Sequence, residues 1–128
     1  MVLWTILAWV GRIGFAAFFI MSGVNHFMNA KGITGYAQAK GVPAAAVGVP
    51  VSGAMLIAGG VLILFSWHAI IGAALLVLFL LPAAFMIHNY WTESDPMMKA
   101  NQHAHFWKNI ALAAAAVLVA VAHHRGAV

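Results

Sequence analysis

The chain has no cysteine, and Glu93 and Asp95 are its only acidic side chains. Without cysteine it forms no disulfide, thiolate zinc site, iron–sulfur cluster or persulfide by itself. Any redox role therefore needs a bound cofactor, a quinone or a partner subunit. Basic residues are also few and scattered. Arg12, Lys31, Lys40, Lys99, Lys108 and Arg125 form no stripe that would track a nucleic acid. What fills the chain instead is apolar: 65% of its 128 residues are hydrophobic and only 6% charged, with a mean hydropathy of +0.98. A soluble domain of this size could not cover so much apolar surface with so few charges. A bilayer is the solvent that suits it, and the length allows a single domain over residues 1–128.

A spanning helix needs about 20 mainly apolar residues. Four stretches qualify, at about 4–27, 44–65, 69–90 and 106–122. Backbone groups in hydrocarbon must be satisfied within each segment, so helices are expected, and the runs lack the alternation of a β-barrel. The first stretch does not read as a signal peptide. It has no basic start, is too long, and carries Arg12 and His26. The fold expected is an all-α, integral membrane four-helix bundle. Small residues such as Gly48, Ser52, Gly53, Gly59 and Gly60 would let backbones approach closely.

The connections are unequal. Only "SW" or "SWH" separates the second and third spans. "MNAKGITGYAQAKGVP" joins the first to the second, and its "ITGYAQAK" is expected to form a short surface helix that Pro43 ends. "WTESDPMMKANQHAH" joins the third to the fourth, with Ser94, Asp95 and Pro96 reading as a turn. Trp4, Trp9, Trp67, Trp91 and Trp107 fall near span ends, as aromatic belts do. Both termini share one side with the tight turn, and the two long loops share the other. Counting Lys and Arg places the long loops in the cytoplasm.

This threading gathers polar residues at one level. His26 ends the first span, His88 ends the third and His105 opens the fourth, all on the long-loop side. Asn25, Trp91, Lys108 and Asn109 belong to the same layer. On the fourth span His105, Lys108, Asn109 and Leu112 form one helical stripe. Each residue also has a plain structural reading: headgroup water for the histidines, snorkelling for Lys108, a belt for Trp91, interhelical glue for Asn25 and Asn109. His103 reads as a loop residue, and His68, His123 and His124 as wetted residues at the opposite end. Arg12 is harder to place. An unpaired guanidinium inside a span costs roughly 2.5–3.5 kcal/mol, and neither acid lies at its depth. Its partners would be carbonyls, a hydroxyl such as Ser52, water, a lipid phosphate or a ligand.

"GRIGFAAFFIMSGVNHF", "YAQAKGVP", "IHNYW" and "QHAHFWKNIAL" together resemble the DoxX family of small four-span membrane proteins, nearly from end to end. The resemblance falls on Arg12, Ser22, Gly23, His26, His88, Trp91, Gln102, His105, Phe106, Lys108 and Asn109. The sequence departs from it at Ala113–Ala116, where relatives tend to have glycine, and in lacking cysteine, which argues against sulfur transfer. The family takes its name from a subunit linked to quinol oxidation and thiosulfate:quinone oxidoreduction. The resemblance therefore implies a redox-associated subunit of the bacterial cytoplasmic membrane, working with other subunits or with copies of itself.

Three functions remain open. Arg12, Asn25, His26, His88, Trp91, His105, Lys108 and Asn109 supply donors and proton carriers that a quinone headgroup would use. His26, His88 and His105 could instead ligate a haem or metal, a weaker reading that no His-x-x-x-His pair or carboxylate supports. Finally, the polar layer could fix helix register or dock a neighbour, in a non-catalytic accessory subunit or a small-solute carrier.

Overall fold

A computed structural model describes residues 1–127. Five α-helices follow one another: α1 Val2–Met28, α2 Ala30–Ala39, α3 Ala45–Leu64, α4 Ala69–Met86 and α5 Pro96–His124, with a 3₁₀ turn at Tyr90–Thr92 before the last. α1, α3 and α5, and α4 taken with the turn after it, are long and apolar enough to cross a membrane. α2 is the short helix expected in the first loop, and it begins sooner than the sequence suggested, one residue after α1 ends. The molecule is an all-α membrane bundle. Its outer surface agrees with that: Leu78 is 63% exposed, Leu118 69% and Phe85 55%, exposures that hydrocarbon favours and water does not.

α1 packs on α3, α3 on α4 and α4 on α5, whereas α1 and α5 do not pack closely on each other. The spans thus form a curved row with α3 and α4 at its centre. Small residues set the spacing. A Cβ on Gly23 would lie 2.6 Å from the Gly53 carbonyl oxygen, and one on Gly72 would lie 2.9 Å from that of Gly59. Those contacts let backbones touch where any larger residue would hold them apart. The core between them holds Phe19, Leu56, Ile63, Leu76 and Leu80, each at most 2% exposed.

The turns match the sequence with one correction. Phe65 to His68 is the tight connection, and Ser66 and His68 both take positive φ, 54° and 50°. The fourth span starts ten residues before the expected Phe106. Asp95 is the N-cap of α5, its carboxylate accepting from the Met98 N–H at 2.9 Å, and Pro96 occupies the first turn. Ser-Asp-Pro is therefore a helix start, because the carboxylate satisfies an end N–H and proline has none to satisfy. His103 lies within α5 and not in a loop. In the third span the α-helix ends at Met86, ahead of His88, and the 3₁₀ turn carries the span on to Thr92.

Candidate functional site

A cavity of about 380 Å³ lies inside the long-loop half of the bundle. α1 contributes Phe18, Phe19, Ser22 and His26. α3 contributes Ser52, Met55 and Leu56, α4 contributes Phe79, Pro82 and Ala83, and α5 contributes Lys108 and Asn109. Tyr36 and Ala37 of α2 and His88 close the end nearest the loops. α3 and α4 both wall the cavity, and their close contact lies at the other end of the bundle. They touch at Gly59 and Gly72, but beyond Ala74 α4 carries Leu75 to Leu81 without a small residue. Pro50 in α3 and Pro82 in α4 each also remove an N–H from the helical ladder in this half. On the lipid-facing side Val51 is 52% exposed and Leu78 63%, and both line the cavity.

The polar side chains sit on two walls. On the first, His26 Nδ1 is 3.4 Å from the Ser52 hydroxyl, which donates to the Val49 carbonyl at 2.9 Å. The His26 ring meets the Phe79 ring edge-on at 5.5 Å, so it points across the bundle. On the second wall, His88 Nδ1 bonds the Gln102 side-chain oxygen at 2.8 Å, and the Gln102 amide donates to the Tyr36 hydroxyl at 2.8 Å. Gln102 is only 5% exposed. This chain ties α5, α2 and the end of α4 together. The His88 and His105 rings stack at 5.1 Å, and Lys108 Nζ lies 3.4 Å from His105 Nδ1. Lys108 Nζ also sits 5.6 Å from the Phe18 ring centre, reaching across the α1–α5 gap. Asn109 is 4% exposed and lines the cavity; its amide makes no hydrogen bond among the described residues.

The eight expected site residues divide. His26, His88, Lys108 and Asn109 line one cavity, and His105 backs it through His88 and Lys108. Asn25 is exposed and accepts from the Asn29 amide. Trp91, 50% exposed, packs on Phe85, Tyr90 and Phe106 outside the cavity. Arg12 lies elsewhere, at the other end of the bundle. The three histidines offered as metal ligands, His26, His88 and His105, are not brought together. Among the described residues no three histidine, cysteine or acidic side chains are grouped to hold a metal ion. His26 faces Ser52 while His88 and His105 pair on the opposite wall. Ser52 is likewise His26's neighbour and not Arg12's.

Sequence reasoning missed Tyr36 and the place of Ser52. A lone hydroxyl in an apolar helix was the available signal for Ser52. Tyr36 offered none, since its role depends on how α2 lies. Lys40, read from sequence only as a loop charge, donates to Asn89 at 3.0 Å and pairs with Glu93 at 2.8 Å, fastening α2 to the loop above the cavity.

Comparison with known proteins agrees with this architecture. "Inner membrane protein YphA" of Escherichia coli (strain K12) is 26% identical over 116 residues, covering 91% of this chain and 82% of that one. No solved structure matches. The family model DoxX matches residues 7–89, which run from α1 through the end of α4. With well over half of its length matched in this way, the chain belongs to the DoxX family.

Proposed function

We propose that the protein binds a membrane-soluble quinone or quinol in the long-loop cavity, as the ligand-holding subunit of a redox assembly in a bacterial cytoplasmic membrane. The observation that carries the reading is the convergence of Asn109 and Lys108 on one wall and His26 on the other of a largely apolar cavity. A quinone has carbonyl oxygens that accept hydrogen bonds, a flat apolar ring and a long apolar tail. Asn109 and Lys108 can donate to one carbonyl and His26, on the facing wall, to the other. Phe18, Phe19 and Phe79 supply apolar surface for the ring. The tail would leave past Val51 and Leu78 into the acyl chains. A volume near 380 Å³ falls within the range of about 300–1,000 Å³ usual for small-molecule sites.

Oxidising a quinol releases protons with its electrons. Imidazoles at His26, His88 and His105 can take up those protons. The electrons need a redox partner, because this chain has no cysteine to hold a cluster. The relative's name places that protein in an inner membrane. Lys31, Lys40 and Lys99 on the long-loop side favour the cytoplasm for the cavity's end of the bundle.

The test is equilibrium binding of a short-tailed quinone to the detergent-purified protein. Lys108→Met and Asn109→Leu together should weaken binding about tenfold or more, the worth of a charge-assisted and a neutral hydrogen bond. Ser94→Ala, far from the cavity, should leave it unchanged. Equal affinity in the double variant and the parent would refute quinone binding here.

A further inference from the structure

At the opposite end of the bundle lies a second crevice, of about 370 Å³, walled by Leu7, Gly11 and Phe15 of α1, by Ile63 and Ser66, and by Leu118 and Ala122 of α5. It opens where α1 and α5 fail to pack closely. Arg12 lines it. The guanidinium carbon sits 5.2 Å from the centre of the Trp9 ring, and Nε is buried with no hydrogen-bond partner among the described residues. The two acidic side chains are both engaged at the far end of the molecule, Glu93 with Lys40 and Asp95 with the start of α5. Ser66 belongs to the tight turn, where the chain leaves the helices, so the crevice reaches the level of the membrane surface.

We infer that this crevice holds a phosphate oxyanion, with the Arg12 fork as its principal ligand. A guanidinium presents parallel N–H groups that match two oxygens of one phosphate. Among the described residues no side chain lining the crevice is acidic, and a buried Nε–H needs an acceptor. Trp9 and Phe15 flank the site with ring surface, Leu118 and Val119 supply apolar surface deeper in the bundle, and Leu7 lies on the surface side. That combination, a cationic fork above an apolar slot between two helices, fits the headgroup and upper acyl chain of an anionic phospholipid. Phosphate from solution shares the oxyanion chemistry but would leave the slot unfilled. The site stands apart from the quinone cavity and does not depend on it.

The protein, purified in a mild non-ionic detergent, is titrated with phosphatidylglycerol, with diacylglycerol of the same chains, and with inorganic phosphate, following bound ligand by native mass spectrometry and the thermal midpoint. Phosphatidylglycerol should bind and raise the midpoint, and diacylglycerol should do neither. Arg12→Gln should weaken phosphatidylglycerol binding about tenfold, while Arg12→Lys, charged but without the fork, should fall between. Saturation by inorganic phosphate at comparable concentration would assign a free anion as the occupant and still support the oxyanion site. Equal binding by the parent and Arg12→Gln, with both helical by circular dichroism, would overturn it, as would diacylglycerol binding as well as phosphatidylglycerol. If Arg12→Gln does not fold, the lipid comparison on the parent and Arg12→Lys decides the matter.

Discussion

α3 meets its two neighbours along seams of different construction. Against α1 it is in backbone contact at both levels: Gly53 lies on Gly23 and Gly60 lies on Ala16, whose carbonyl oxygen would be 3.1 Å from a Cβ at Gly60. Against α4 it is closed at one level only. Gly59 and Gly72 bring the pair together beside the turn, and then α4 turns to bulky side chains where residues of both helices line the cavity. The closed seam is structure and the half-open seam makes room for a ligand. Side-chain size along one helix face is thus enough to decide where a bundle is solid and where it is hollow.

Substitutions can break this contrast or sharpen it. The largest effect is expected at the closed seam. Gly23→Val would drive a side chain into the Gly53 carbonyl and Ile57, with a loss of about 3 kcal/mol measurable by denaturant titration in detergent. Next is Gln102→Leu, which removes the bonds to His88 and Tyr36. It should cost about 2 kcal/mol and raise hydrogen exchange in α2 before any other helix. Glu93→Gln weakens the tie between α2 and the loop. Its cost, about 1 kcal/mol, should shrink when the salt concentration is raised. Gly48→Ala has the opposite sign. The glycine lines the open part of α3 and an added Cβ meets nothing within 4 Å. Helical preference alone should then stabilise the protein by about 0.5 kcal/mol. A destabilising Gly48→Ala would mean that the seam is closed at that level too.

Much of this was legible from sequence, and the misreadings have physical causes. Long apolar runs announce spans because hydrocarbon tolerates little else, so all four were found. The start of α5 was placed late because Met97 to His105 is polar and hydropathy registers lipid contact, not helicity. Asp95 and Pro96 looked like a turn because the same residues suit turns and helix starts. The polar layer was inferred from depth, which is why His26, His88, Lys108 and Asn109 were named together. Depth leaves rotation open, so Asn25 and Trp91 were named although they face outward. The mistaken pairing of Ser52 with Arg12 is different, since antiparallel register excludes it. Each step forward on α1 is a step back on α3, and Gly23 against Gly53 sets Ser52 near His26 and the end of α3 near Arg12. What no single sequence reveals is how α2 lies, and with it the Tyr36–Gln102–His88 connection.

The row-like order of the spans also bears on how the protein is made. Because each long helix rests on the one synthesised before it, a newly inserted span finds its neighbour already in the bilayer. Packing of the long helices can therefore keep pace with translation, with only the ties from α5 back to α2 and α1 left to form at the end.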